Sequence, residues 1–168
     1  MRLPHCVIHE VDPQGPQATA LLRQAALEAR RLYPEQHQAS LPWPSNPPPP
    51  PRGVYLVASV EGLALACGAL WPMEGAVAEV RRMFVAEPAR RQGLARSMLE
   101  ALEREAGRLG YTTLRLETGN RQRPAIALYA ACGDQRIPPF GPHVGDPTSV
   151  CFEKRIAEPS AAPPRRDH

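Results

Sequence analysis

Apolar residues alternate with polar residues in several short stretches of the chain, which is the pattern of half-buried β-strands. The tight turn Glu61-Gly62 would join two of these stretches into an antiparallel hairpin. The predicted strands are residues 5–11, 54–60, 63–71, 76–85, 112–117 and 148–156. Strict alternation along residues 76–85 would place four side chains on one face of that strand, namely those of Glu79, Arg81, Met83 and Val85.

Elsewhere apolar residues recur every three or four positions, which predicts amphipathic helices. We expect these helices at residues 17–32, from about Gly93 to Gly110, and at residues 123–132. Residues 33–52 end in WPSNPPPPPRG and cannot lie inside a helix or a sheet, because proline lacks a backbone donor and fixes φ.

The order of these elements predicts the fold class. A strand at residues 76–85, a helix, and a strand at residues 112–117 follow one another, so a right-handed parallel crossover is the default connection. The hairpin before them is antiparallel. The chain should therefore form an α/β domain with a mixed sheet.

Composition narrows the class of protein. The 168 residues suffice for one domain with a hydrophobic core, and the formal charge of +3 favours an anionic small molecule over nucleic acid, since no basic stripe is present. The four cysteines are widely spaced, which predicts reduced thiols rather than zinc ligands. Because no apolar run could span a bilayer and no signal peptide is visible, we expect a soluble cytoplasmic protein without membrane contacts, ending in a disordered tail at residues 157–168.

The junction Arg90–Ala95 joins the central strand to the long helix. A helix start offers unpaired N–H groups and a positive dipole end, which suits a phosphate. The string R-x-x-G-x-A is neither a P-loop nor a GxGxxG fingerprint. Taken alone, it is equally compatible with a purely structural turn.

Further motifs accompany this turn. They are E-V-R-R-M-F-V in the central strand, L-E-T-G-x-x-Q at residues 116–122, A-x-x-L-Y-x-x-x-G at residues 125–133, and P-P-F-G at residues 138–141. Together they resemble the GNAT acetyltransferases over residues 5–156. The resemblance implies a single domain at residues 1–156, with the proline-rich loop at about 42–52 as part of it. The implied fold is an α+β variant of the class: a mixed, mostly antiparallel sheet, flanked by helices and splayed at the cofactor site.

The resemblance also implies an activity: transfer of the acetyl group of acetyl-CoA to a primary amine by direct attack, through a tetrahedral intermediate. The turn would supply backbone donors to the CoA pyrophosphate, the end of the strand would bind the pantetheine arm, and Gln122 stands where the family often has asparagine. The implied cofactor-binding residues are Met83, Phe84, Val85, Arg90, Arg91, Gln92, Gly93, Leu94, Ala95, Arg96 and Gln122.

Three groups would carry the chemistry by the same resemblance. Glu79 would be the general base, acting through water, and the Met83 N–H would stabilise the oxyanion. Tyr129 would protonate the departing thiolate. Structural alternatives remain for two of them: Glu79 could be paired with Arg81, and Tyr129 could simply pack its ring.

Other candidate groups have weaker support from the sequence. His5, His9 and His37 form no metal-ligand pattern, so we expect no metal site. His143 could border the acceptor, but as a loop histidine without a partner it is predicted to lie on the surface. The acceptor would be a small-molecule or peptide amine, and a homodimer stays open. A non-catalytic acyl-CoA-binding or regulatory module on the same fold is the alternative function.

Overall fold

The computed structural model describes residues 5–37 and 42–157. They form a seven-stranded sheet in the order β1-β2-β3-β4-β5-β7-β6, with helices packed on it. The strands are β1 Cys6–Glu10, β2 Val54–Val60, β3 Leu63–Pro72, β4 Val77–Val85, β5 Thr113–Gly119, β6 Gln135–Ile137 and β7 Ser149–Arg155, and the helices are α1 Pro16–Leu32, α2 Leu94–Arg108 and α3 Arg123–Ala131.

The pairing of the strands confirms a mixed, mostly antiparallel sheet. β4 and β5 run parallel, as the crossover through α2 requires, and the other neighbouring pairs are antiparallel. The predicted strands and helices are present with small shifts at their ends. The short edge strand β6 was not predicted, because its three residues Gln135–Ile137 have no apolar alternation. The predicted tail lies outside the described residues from position 158 onward.

Two apolar clusters lie on opposite faces of the sheet. α2 packs its buried stripe, including Met98 and Leu102, on one face, together with Leu70 from β3. α1 covers the other face through Leu21, against Tyr55. We call these the α2 face and the α1 face. No helix among residues 5–37 and 42–157 is long and apolar enough to cross a membrane.

A β-bulge in β4 changes which residues share a face. Ala69 of β3 pairs with Arg81 and Cys67 pairs with Phe84, so β4 holds one extra residue there, and Arg82 takes a positive φ of 59°. The prediction that Glu79, Arg81, Met83 and Val85 share one face is therefore wrong.

After the bulge the alternation is reversed. Glu79 and Arg81 lie on the α1 face, whereas Met83 and Val85 pack against the α2 cluster. Gly68 of β3 lies opposite, where an added Cβ would come within 2.9 Å of the Met83 sulfur and 2.7 Å of Leu102 Cδ1. The lack of a side chain at Gly68 thus leaves room for Met83 under α2.

The sheet splits beside β4. The parallel pairing with β5 runs from Val77–Thr113 to Val80–Leu116 and stops there, although β4 continues to Val85 and β5 to Gly119. We call the gap beyond Val80 and Leu116 the β4–β5 notch. It leaves the last residues of β4 with one edge that is not paired to β5.

Candidate active site

The Arg90–Ala95 turn forms the start of α2. Arg91 and Gly93 both have left-handed φ angles, 65° and 75°, and Gly93 is the N-cap of the helix without a side-chain cap. The first helical bond of this turn runs from the Ser97 N–H to the Gly93 oxygen, at 3.0 Å. The amides before Ser97 therefore precede the intrahelical ladder, and they are available to an anion at the positive end of the helix dipole.

Arg90 contributes to the turn in a different way. Its amide already donates to the Glu87 oxygen at 3.2 Å, while its side-chain Nε donates to the Val85 oxygen at 2.9 Å. The guanidinium also pairs with Glu28 of α1. The Arg90 side chain thus links the turn to the end of β4 and to α1. Because its own amide is engaged, the amides from Arg91 to Arg96 are the ones that can bind a phosphate.

The notch exposes backbone groups of β4. The Ala86 N–H donates to the Leu65 oxygen on β3, at 2.8 Å. Because backbone groups point to alternate edges of a strand, those of Met83 and Val85 are directed to the notch and those of Phe84 to β3. An extended chain of amide groups inserted there would meet donors and acceptors as if it were another strand.

Tyr129 lies on the α2 face. It is 5% exposed, and its ring contacts Phe152 with centroids 5.8 Å apart. Burial, reinforced by the nearby Asp134 carboxylate, raises the pKa of Tyr129 well above its usual range. The phenol is therefore protonated at neutral pH and can only donate a proton if the site stabilises the phenolate. The packing role that the sequence left open is present.

Glu79 lies on the opposite face, in a cleft of about 450 Å³ that opens beside the notch. We call it the β4 cleft. Its ionisable lining residues include Glu79, Arg81, Arg82, Glu117 and His143, with the rings of Tyr55 and Trp71 beside them. Glu79 is 7% exposed and accepts a hydrogen bond from Arg81 Nε at 3.0 Å. The predicted alternative for Glu79, pairing with Arg81, is thus also present.

His143 belongs to this cleft, so the prediction of an unpartnered surface histidine is wrong. Its Nδ1 lies 2.9 Å from Glu117 Oε2, and its buried Nε2 lies 3.8 Å from Glu79 Oε1, beyond hydrogen-bond reach. The imidazole thus lies between two carboxylates, and its Nε2 faces Glu79 without a hydrogen-bond partner among the described residues. No local signal in the sequence connects the loop after Phe140 to β4, because this contact depends on the tertiary fold.

The other corner of the cleft contains Arg82, Asn46 and Tyr55. Arg82 Nε donates to Asn46 Oδ1 at 3.0 Å, and Asn46 Nδ2 donates to the Pro13 oxygen at 2.8 Å. The hydroxyl of Tyr55 is buried without a hydrogen-bond partner among the described residues. The sequence did not single out Asn46 or Tyr55, since one lies in the proline-rich loop and the other reads as an ordinary strand residue.

Sequence and structure comparisons place the chain among known proteins. The model of the Acetyltransferase (GNAT) family matches residues 18–134. A relative named IAA acetyltransferase from Azospirillum brasilense is 35% identical over 155 residues, which is 92% of this chain and 100% of the relative.

Solved structures give the same picture. A structure assigned as an acyl-CoA N-acyltransferase from Klebsiella pneumoniae superposes with a TM-score of 0.74 at 34% identity, covering 90% of this chain and 98% of that one. A GNAT family acetyltransferase from Elizabethkingia anophelis with acetyl-CoA bound has a TM-score of 0.64 at 17% identity, covering 91% and 99%. The chain therefore belongs to the GNAT family of acetyltransferases.

Proposed function

We propose that this enzyme transfers the acetyl group of acetyl-CoA to a primary amine held in the β4 cleft. The observation that carries the proposal is the position of Glu79. It lies one residue before the last β4–β5 pair, so its carboxylate lines the cleft where the sheet opens. Acetyl-CoA bound in the notch and an amine bound in the cleft would meet at that point.

The residues around the turn and the notch are suited to binding acetyl-CoA, the acetyl donor. The amides from Arg91 to Arg96 suit a pyrophosphate, and the space around Gly93 is open, with nothing within 4 Å of an added Cβ. The edge of β4 that faces the notch suits the amides of a pantetheine arm at the Met83 groups and the Val85 N–H, whereas the Val85 oxygen already accepts from Arg90 Nε. Gln122, at the start of α3, is close in sequence to the end of β5 and is proposed as a further contact. Acetyl-CoA bound to the Elizabethkingia anophelis neighbour supports this assignment.

The cleft supplies the proton acceptor. An alkylammonium has a pKa of about 10.4 and cannot attack a thioester until it loses a proton. Glu79 takes that proton, directly or through water, while Arg81 holds its carboxylate in place. His143 lies between Glu79 and Glu117, at 3.8 Å and 2.9 Å, and is the neighbour through which that proton would leave.

Two further groups complete the reaction. The Met83 N–H, directed to the notch, stabilises the oxyanion that forms when the amine nitrogen bonds to the acetyl carbon. The carbon–sulfur bond then breaks, and Tyr129 donates its proton to the departing thiolate. The nitrogen gives up a second proton as the intermediate collapses, and of its two protons one restores the phenol and the other is released to solvent.

The relatives favour a small-molecule acceptor. One relative is named for IAA, and a structural neighbour is an aminoglycoside 6'-N-acetyltransferase with a TM-score of 0.65 at 16% identity. A cleft of about 450 Å³ agrees with an acceptor of modest size. A peptide acceptor, a homodimer and a cytoplasmic location stay predictions.

The first test replaces the base. In Glu79→Gln we expect kcat for amine-dependent thiol release to fall about 10²-fold, because the amide cannot accept a proton. The dissociation constant for acetyl-CoA, measured by calorimetry, should stay unchanged, since Glu79 lies on the cleft side of β4.

A parallel His143→Gln variant separates the two candidate bases. We expect a smaller loss in kcat than in Glu79→Gln, because His143 acts only on a proton that Glu79 has already taken. Full activity in Glu79→Gln together with loss of activity in His143→Gln would transfer the role of base to His143.

A further inference from the structure

We propose that the acceptor is an amine that also carries a carboxylate, of the amino-acid type, and that Arg82 and the Tyr55 hydroxyl bind this carboxylate. The inference deepens the proposed function and rests on it. It concerns the corner of the β4 cleft that the acetyl-transfer chemistry leaves unused.

Tyr55 is the first observation. The residue is 3% exposed, lines the cleft, and its hydroxyl has no hydrogen-bond partner in the described part of the chain. Its polar neighbours are already engaged: Cys67 Sγ donates to the Arg82 oxygen at 3.0 Å, and the Asn46 amide binds Pro13 and Arg82. Burial, with the Cys67 thiol close by, raises the pKa of Tyr55, so the hydroxyl stays protonated, and neither Cys67 nor Asn46 beside it meets hydrogen-bond geometry with it. Such groups are costly unless a ligand satisfies them.

Arg82 is the second observation. The bulge places it at a positive φ and on the cleft side of β4, and its Nε is fixed by Asn46, which is itself 7% exposed. The guanidinium is therefore held in place by Asn46, and its remaining N–H groups can donate to a ligand in the cleft. Neighbouring Arg81 is paired with Glu79, whereas Arg82 forms no ion pair with a carboxylate within residues 5–37 and 42–157. A guanidinium with this freedom suits a carboxylate.

The opposite corner of the cleft is acidic. Glu79 and Glu117 lie there with His143 between them, and the proposed chemistry requires the amine to be next to Glu79. One cleft thus offers a cation to one end of its ligand and carboxylates to the other. An amine without a carboxylate would leave Arg82 and Tyr55 unpaired on binding, and this penalty is what would give the selectivity.

The test compares amine pairs that differ by one carboxylate: phenylalanine with 2-phenylethylamine, tryptophan with tryptamine, and lysine with cadaverine. Thiol release from acetyl-CoA gives kcat/KM for each member of a pair. We expect the carboxylated member of at least one pair to be preferred about tenfold or more, the size typical of a charge-assisted hydrogen bond.

Two variants test the assigned residues, and one serves as a control. Tyr55→Phe should reduce the preference about tenfold while thermal stability stays equal or rises, because it removes a buried hydroxyl that has no partner. Arg82→Gln should abolish the preference. Arg104→Gln removes the same charge from an exposed position of α2 and should leave the preference intact.

The outcomes distinguish this inference from the proposed function. Equal or better turnover of the decarboxylated amines in the native enzyme overturns the carboxylate site and leaves acetyl transfer standing. A preference that survives in both Tyr55→Phe and Arg82→Gln overturns the residue assignment. If no amine is turned over, the proposed function fails, and calorimetry of the same amino acids with the CoA-bound enzyme decides the site: no binding, or equal binding to Arg82→Gln, overturns it.

Discussion

The candidate site has two parts, the β4–β5 notch and the β4 cleft, and they differ in how the chain supplies their residues. On the notch side, the groups that we propose for acetyl-CoA are backbone amides within one continuous stretch from Met83 to Arg96. On the cleft side, the acceptor groups are side chains from four separate regions, represented by Asn46, Tyr55, Glu79 and His143. A short sequence motif is enough to specify a site made of continuous backbone. A site made of side chains from distant segments can be altered by single substitutions at any one of them.

This difference predicts distinct responses to substitution. Changes on the donor side should alter acetyl-CoA binding or thiolate departure for every amine. Changes on the acceptor side should alter which amine is used. Three experiments test the donor side of the comparison.

The largest effect is expected from Tyr129→Phe. Without the phenolic proton the thiolate leaves less readily, so kcat should fall about 10²-fold for all amines, while the dissociation constant for acetyl-CoA stays the same. The matched control is Tyr111→Phe. Tyr111 is 1% exposed and donates to the Arg52 oxygen at 2.8 Å, so its loss should cost about 1 kcal/mol of stability without changing rates. Unchanged kcat in Tyr129→Phe would reduce this residue to core packing.

A smaller effect is expected from Gly93→Val. A β-branched residue at φ 75° strains the turn by about 1–2 kcal/mol, and its side chain would stand beside the amides that we propose for the pyrophosphate. We expect the dissociation constant for acetyl-CoA to rise about tenfold, as measured by calorimetry.

The control for this strain is Gly62→Val in the β2–β3 hairpin. Gly62 has a similar φ of 82° and equally open surroundings, so it should lose comparable stability with normal acetyl-CoA binding. If both variants bind acetyl-CoA normally, the Arg90–Ala95 turn is not the pyrophosphate site.

The smallest effect concerns Asp134, which follows α3 on the donor side. Burial, with a contribution from Glu103, raises the pKa of Asp134 to about 6 against the opposing charge of Lys154. Because the folded state then binds a proton more tightly than the unfolded state, this group favours folding below pH 4. That contribution is lost as the pH rises from about 4 to 6.

Asp134→Asn mimics the protonated form. We expect it to stabilise the protein above pH 6 by about 1 kcal/mol, after discounting the pKa shift for partial exposure of the carboxyl. Thermal melts at pH 4 and pH 7.5 should show a gain at the higher pH alone. An equal change in melting temperature at the two pH values would show that burial does not disfavour the charged form of Asp134.

The same contrast explains how much the sequence could reveal. The strands, the helices and the turn at Gly93 follow from periodicity and from local rules for glycine and proline. The bulge at Arg82 does not, because no proline or glycine marks the extra residue in E-V-R-R-M-F-V. Missing it reversed the faces assigned to Met83 and Val85.

The composition of the cleft was equally hidden. His143 contacts Glu117 only because the loop after Phe140 folds over β5, and Asn46 reaches Arg82 from the proline-rich loop. Both contacts join segments that are distant along the chain. Hydrophobic periodicity relates residues within one element. It could therefore assign Glu79 to one side of its strand, but it could not identify the residues from other segments that contact it.

The extra residue in β4 also has an evolutionary consequence. It shifts the strand by one residue, so Glu79 and Arg81 before it face the cleft proposed for the amine, whereas Met83 and Val85 after it adjoin the notch proposed for acetyl-CoA. Under the proposed assignment, mutations at Arg81 or Arg82 would change the acceptor cleft while the register of β4 along the notch stays the same. Grafting the segment Glu79–Arg82 between family members, with the bulge retained, would be a rational way to exchange acceptor specificity.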